Sequence, residues 1–414
     1  MHAGDPQPVT TPPHRRLVHL DVLRGFALFG VLLVNFQWFT RPVQTMAVGS
    51  DPSLAGVDLV VDRIVHWLAE GKFYPLFSML FGIGFALMAA RAAAAARAFR
   101  AVYLRRLAGL ALFGAAHVTL AWSGDILVLY AFAALAMLLL FAGTPVTRLW
   151  RWGVALIALP ATLLALLVAA GVAFDRADPA AAEEVRSTIE AQRSTVLASV
   201  ESAARVHATG TFTDNVVQRW RDVAVMAADA GWIWLPTVLG FFLLGRWLFE
   251  SGVLADPAAH RRFLARWRRL GLLAGLPLAA LATALLAGRD LFVPTPTLAL
   301  GAIAATAAGV VLSLGYLSAV VLAADRLRWL APVGRMALTN YLLQSAVWSL
   351  VFYGYGLGLW GQVPRAWHPV LCVGFFALQV AFSRWWLQRF AHGPAEWAWR
   401  WLTYLEPPSR RRAT

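Results

Sequence analysis

The chain has 414 residues, 59% of them hydrophobic and only 14% charged, with 19 Trp and 24 Phe. Soluble domains average roughly 45 to 50% apolar and about 25% charged residues, so a soluble enzyme, a disordered chain and a nucleic-acid-binding domain are set aside together, although the formal net charge is +14. The single cysteine, Cys372, rules out an intrachain disulfide and any cysteine-based metal site.

A bilayer core of roughly 30 Å takes about 20 apolar residues per helix, and ten runs of that kind follow one another: 20 to 40, 72 to 90, 106 to 122, 125 to 142, 152 to 174, 231 to 250, 270 to 287, 297 to 322, 336 to 358 and 368 to 387. They predict an all-α polytopic membrane bundle of about ten helices, forming a single domain over 1–414. The first run opens with Asp21 and Arg24 and lacks a small-residue cleavage site, so it is expected to stay in the mature protein.

Lys72 is the only lysine, and arginine supplies the other basic residues. With the N-terminus inside, Arg15 and Arg16, Arg91 to Arg106, Arg148 and Arg151, Arg261 to Arg269, Arg326 to Arg335, Arg384 to Arg400 and Arg410 to Arg412 fall on the cytoplasmic side. The short outer loops keep only Arg41, Arg63, Lys72, Arg289 and Arg365, while Arg24 and Arg246 lie inside spans. That asymmetry predicts both termini in the cytoplasm. Residues 175–230, polar and Ala-rich, are expected to form an extracytoplasmic cap of short helices or a plain connector, and residues 57–70 an amphipathic helix at the interface.

An ionisable group inside a span is expensive to bury and points to function. In LDVLRGFALFGVLLVNFQW, Asp21, Arg24 and Asn35 project within about 60° of one another on a helix, with Asn35 about 16 Å further along. In GAAHVTLAWSGDILVLYA, His117 sits in an apolar helix before a tight hairpin, and Asp125 is placed to cap the next helix. With an ordinary pKa near 6.5, His117 is the best general-base candidate; the alternative is a hydrogen-bonded core histidine. The Gly82/Gly84 pair permits close helix approach. In PVGRMALTNYLLQS, Asn340 and Gln344 share a face behind Arg335, which suits either an anionic cofactor or interhelical hydrogen bonds. The ending AHGPAEWAWRWLTY reads as an aromatic interfacial segment. Walker, GxSxG and HExxH motifs are missing from the sequence.

Five separated segments, LDVLRGFALFGVLLVN, KFYPLFSMLFGIGFAL, GAAHVTLAWSGDILVLYA, GRMALTNYLLQS and GPAEWAWRWLTY, resemble the YeiB family of bacterial membrane proteins (domain of unknown function 418) in the family's order and over nearly the whole chain. The opening motif is in turn similar to that of the transmembrane acyltransferases, which include heparan-alpha-glucosaminide N-acetyltransferase and sugar O-acetyltransferases. In the O-acetyltransferases an Asp, an Arg three residues later and a His fourteen after the Asp carry function; here Asp21 and Arg24 match and Asn35 holds the third place. The glucosaminide enzyme also has Asn there, followed shortly by its catalytic histidine. This chain has no histidine between Asn35 and His66, so the role passes to His117, with Asp125 as its orienter and His66 as second choice.

The resemblance implies an acyltransferase of the bacterial inner membrane. Acetyl-CoA or another acyl-CoA would enter on the cytoplasmic side, held by Arg24, Asp21, Arg335, Asn340 and Gln344. A sugar or glycan acceptor would come from outside, with His117 as base and Asn35 as oxyanion donor. A proton-coupled transporter or flippase using the same residues, and a non-catalytic scaffold, are the competing readings. A metal and a nucleic-acid partner are not expected; the lipid bilayer is, and a homodimer is left open.

Overall fold

The computed structural model describes residues 17–409 except 47, 50, 52 and 97; Arg15, Arg16, Arg97 and Arg410 to Arg412, counted above as cytoplasmic, lie outside the described residues. Among these the chain is all-helical, as the apolar runs predict. In order come α1 (Val18–Asn35), α2 (Gly56–Leu68), α3 (Phe73–Ala94), α4 (Phe99–Leu120), α5 (Leu127–Leu140), α6 (Val146–Ala177), α7 (Pro179–Thr209), α8 (Phe212–Glu250), α9 (Arg261–Leu270), α10 (Leu276–Leu286), α11 (Pro296–Leu322), α12 (Ala331–Arg335), α13 (Ala337–Phe352), α14 (His368–Arg389) and α15 (Pro394–Tyr404). One π-helical turn, Gly271–Gly275, joins α9 to α10.

Seven of the described segments are long and apolar enough to cross a membrane: Val18–Phe39, Gly56–Ala94, Val146–Ala177, Phe212–Glu250, Arg261–Leu286, Pro296–Leu322 and Arg365–Arg389. The remaining three of the ten apolar runs fall on α4, α5 and α13. Of these α5 is apolar but only 14 residues long, and α4 begins among Arg100, Arg105 and Arg106.

α1 runs through the middle of the bundle, and its Leu20, Val22, Leu23, Leu28 and Leu32 are buried. It packs against α3, α11, α12, α13 and α14. α6 lies at the edge, with Leu159, Leu163, Leu166 and Leu167 exposed, as suits side chains that meet lipid. Glycine sets a close crossing here: a methyl on Gly82 of α3 would run into the Phe242 carbonyl of α8. Gly84 has nothing near it, so only one of the two glycines foreseen for close approach makes one.

Residues 175–230 do not fold into short helices. They comprise the end of α6, all 31 residues of α7 and the first half of the 39-residue α8. Each start has its signal, Asp178 capping α7 before Pro179 and a Thr211/Asp214 capping box opening α8. α2 is amphipathic, but its acids look inward: Asp62 pairs with Arg365 at 2.6 Å and Asp58 accepts from the Ala366 backbone. Its Val57, Val60 and Ile64 are exposed.

Candidate functional site

One face of α3 lines a cavity of about 800 Å³, from Phe73 and Tyr74 past Phe77, Phe81, Gly84 and Met88 to Arg91. At about 1.5 Å per residue these positions extend over roughly 27 Å, close to the hydrocarbon thickness of a bilayer. Val31, Leu80, Phe85, Leu107 and Leu110 make the middle of the wall apolar. Gly84 leaves room that a side chain would fill.

Arg24, Arg91, Arg106, Arg335 and Arg400 line one end, together with Asp21 and Glu396. Their convergence follows from small residues and caps. A methyl on Gly25 would meet the Leu330 carbonyl and one on Gly334 the Asp21 carbonyl, so α1 and α12 touch backbone to backbone and bring Arg24 beside Arg335. Arg24 donates to Asp21 at 2.9 Å, and Arg335 also reaches the Ala391 carbonyl at 3.3 Å. Arg106 lies over the Trp399 ring at 3.6 Å, and the Trp399 indole donates to the Arg106 carbonyl at 2.9 Å.

Glu396 explains why GRMALTN and GPAEW occur together. Its carboxylate accepts from the backbone of Leu338 at 2.7 Å and of Thr339 at 3.0 Å, and from the Thr339 hydroxyl at 2.6 Å. A residue of α15 thus supplies the cap that α13 lacks locally. A methyl on Gly393 would collide with that carboxylate. Burial pushes the Glu396 carboxyl above its ordinary range, against the opposing pull of the hydrogen bonds it accepts.

The other end is built by the α4–α5 hairpin and the segment after α1. Asn35, Trp38, Trp122, Ser123 and Asp125 line it. His117 Nδ1 is 2.9 Å from Asp125 Oδ1, while Asp125 Oδ2 accepts from the Val128 backbone at 2.9 Å. Asp125 is therefore both the cap of α5 and the carboxylate on His117. In the neutral ring this pairing keeps the proton on Nδ1 and the lone pair on Nε2. Nε2 is buried without a hydrogen-bond partner. The ring stands 5.1 Å from that of Tyr341. Asp125 and Tyr341 line the cavity, and His117 lies just behind them.

The cavity thus gathers Asp21, Arg24, Asn35, Asp125 and Arg335 from the residues singled out in the sequence. Asn340 and Gln344 do not join them. Asn340 donates to Ser383 at 2.9 Å and Gln344 to Gln379 at 2.9 Å, so both fasten α13 to α14 rather than facing the cavity. His66 is engaged on both sides, with Nδ1 2.8 Å from the Asp62 carbonyl and Nε2 2.7 Å from Glu70. Arg91, Arg106 and Arg400 escape sequence reading because, at span ends, they look like markers of orientation, and Glu396 because the helix it caps lies over fifty residues earlier in the chain.

The chain is 32% identical to uncharacterized protein YxaH of Bacillus subtilis (strain 168) over 413 residues, covering 96% of each. The chain belongs to the YeiB family. Uncharacterized protein YeiB of Escherichia coli (strain K12) is 29% identical, over 94% of this chain and 96% of the relative. An uncharacterized 39.9 kDa protein in the amylase 3' region of Bacillus acidopullulyticus is 26% identical, over 94% of each. The family described as "Protein of unknown function (DUF418)" matches residues 248–406, the part that holds Arg335, Glu396 and Arg400. No solved structure matches the chain.

Proposed function

We propose that this YeiB-family member is an acyltransferase of the bacterial inner membrane, with ten spans and both termini in the cytoplasm. It would move an acetyl or other acyl group from cytoplasmic acyl-CoA to a hydroxyl or amine presented on the outer side. One observation carries the reading: a single cavity joins a five-arginine mouth to the wall in front of the His117–Asp125 pair.

Arg24, Arg91, Arg106, Arg335 and Arg400 are the residues to hold the phosphates of acyl-CoA, since guanidinium forks suit phosphate oxygens. The apolar middle of the cavity suits an extended thioester arm. The acceptor oxygen attacks the thioester carbonyl carbon, a C–O bond forms and the C–S bond breaks. The proton leaves the acceptor for the His117–Asp125 pair, whose cavity-facing member is Asp125, and passes to the departing CoA thiolate to give the thiol. Asn35 lies on the same wall, suited to donate to the oxyanion. Asp21 holds Arg24.

The test is purified protein in liposomes given radiolabelled acetyl-CoA and a panel of hexoses, hexosamines and extracted envelope glycans. Acetyl transfer that depends on the protein is the expected result; neither transfer nor CoA binding would overturn the reading. The cavity's full-membrane length also favours a second reading, a proton-coupled transporter or flippase in which His117 and Asp125 relay protons. Substrate-driven proton flux in sealed liposomes without CoA is its signature.

A further inference from the structure

Five further arginines lie together outside the cavity. α9 carries Arg261, Arg262, Arg266, Arg268 and Arg269, and all of them are exposed. At about 100° per residue they fill an arc of roughly 160°. The opposite side of α9 is fixed to the bundle. Leu264 is fully buried, and Phe263 and Trp267 pack on the core, with Phe263 meeting the Trp247 ring of α8 at 6.1 Å. The helix therefore cannot roll to hide its charge.

Exposed arginines elsewhere find an acid: Arg186 pairs with Glu183 at 2.7 Å, Arg205 with Glu201 at 3.8 Å and Arg328 with Asp325 at 3.0 Å. Among the described residues none of the α9 arginines forms such a pair. The acid that precedes them, Asp256, accepts from the Ala259 backbone at 3.2 Å. An arc of guanidinium groups without counter-charge is a surface for anions.

Its placement says which anion. α9 opens the membrane-length segment Arg261–Leu286, and every charged residue of that segment stands on α9. His19 Nε2 is 2.9 Å from the Leu254 carbonyl, which ties the approach to α9 to the end of α1 that carries Arg24. Arg262, Arg266 and Arg269, at i, i+4 and i+7, share one face. Leu273, one turn further on, is 78% exposed, and Leu272 beside it is 50% exposed. None of these residues lines the cavity, so the two leucines belong to the outer surface of a membrane-length helix. Basic residues that only fix orientation need no common face. Here three stack on the face that runs on into exposed leucine, in the order of a lipid head and its chain.

We infer that α9 and the turn after it bind an anionic phospholipid. Arg262, Arg266 and Arg269 hold its phosphate through their guanidinium forks, and an acyl chain lies over Leu273. A zwitterionic lipid brings a cation beside the same phosphate, which the arginine arc repels.

The experiment uses the full chain in phosphatidylcholine nanodiscs. The probes are phosphatidylglycerol and phosphatidylcholine, each at trace level with a diazirine in the acyl chain. Light should attach the phosphatidylglycerol probe to the peptide holding Leu272 and Leu273 at least tenfold more than the phosphatidylcholine probe, while both label exposed Leu166 of α6 equally. Excess unlabelled phosphatidylglycerol should compete at Leu273, and glycerophosphoglycerol, the head without chains, should not. Arg262→Gln, Arg266→Gln and Arg269→Gln together should bring the ratio at Leu273 down about tenfold, to that at Leu166. The control, Arg176→Gln, Arg186→Gln and Arg205→Gln, removes the same net charge from other exposed positions and should leave the ratio unchanged. Equal labelling of Leu273 by both probes in the wild type, a ratio that survives the α9 substitutions, or an equal loss in the control would overturn the inference. Competition by the chainless head would also overturn it, in favour of a soluble phosphate compound.

Discussion

His117 and His207 are both buried histidines with a carboxylate nearby, and their surroundings differ in one respect that matters chemically. His207 Nδ1 is 2.8 Å from Asn215 Oδ1 and its Nε2 is 3.6 Å from Asp222 Oδ2. Its ring is stacked on Tyr353 at 4.7 Å and packed against Trp360 at 5.0 Å. Asp222 in turn accepts from Gln44 and from Gln218, the latter at 2.7 Å. Next to it, the fully buried Arg219 donates to the Thr119 carbonyl at 3.0 Å and to the Tyr355 hydroxyl at 2.5 Å. His207 Nδ1 is held by Asn215, its Nε2 faces Asp222 from beyond hydrogen-bond distance, and neither His207 nor Asp222 lines the cavity. His117 has one nitrogen held and one buried without a partner, with its carboxylate on the cavity wall. The first arrangement locks α7 and α8 to the bundle; the second leaves a ring nitrogen without a partner behind a carboxylate that lines the cavity.

That contrast breaks most sharply under substitution of the histidines. His117→Ala should lower the rate of acetyl transfer by about 10²- to 10⁴-fold, the usual contribution of a general base, while CoA binding persists. His207→Ala should leave the rate per folded molecule unchanged. Comparable losses in both variants would erase the distinction between the two histidines.

A smaller effect is expected in stability, and it should run the other way. Asp222→Ala leaves the buried Gln44 and Gln218 amides without their acceptor, at about 1 to 3 kcal/mol for each unsatisfied group. Asp125→Ala removes a helix cap, worth about 0.5 to 2 kcal/mol, and the acceptor on the buried His117 Nδ1, about 1 to 3 kcal/mol more. Thermal unfolding in detergent should therefore show a loss in both variants, with Asp222→Ala modestly below Asp125→Ala because two buried amides lose their acceptor. The reverse order would mean that the hairpin, not the α7–α8 clamp, holds the bundle together.

The smallest effect concerns Glu396. Its carboxyl is raised in the folded protein by burial, so its contribution is fully present below the ordinary glutamate pKa and is lost as pH rises through the raised one. Wild-type melting temperature should fall across that window, and Glu396→Gln should flatten the fall. An identical profile in both proteins would remove Glu396 as the cause.

The helices were legible because apolar runs of membrane length leave few alternatives, and Asp21, Arg24, Asn35 and Asp125 stood out as polar groups on apolar segments. The His207 cluster was not legible. His207, Asn215, Gln218 and Asp222 sit in a segment that looks like a solvated cap, and only the long α7 and α8 bring them onto Gln44 and Tyr353. Asn340 and Gln344 misled for the opposite reason. Their i, i+4 spacing correctly marks one face of α13, but one-dimensional spacing does not say whether that face meets a ligand or Ser383 and Gln379 of α14.

α15 follows all the membrane-length segments among the described residues, yet its Glu396 caps α13 and its Trp399, Arg400 and Tyr404 complete the arginine-lined mouth. During synthesis the membrane-embedded part is therefore finished before that mouth can close around a charged ligand. A ligand held there reaches a finished site only once α15 has folded back onto α4 and α13.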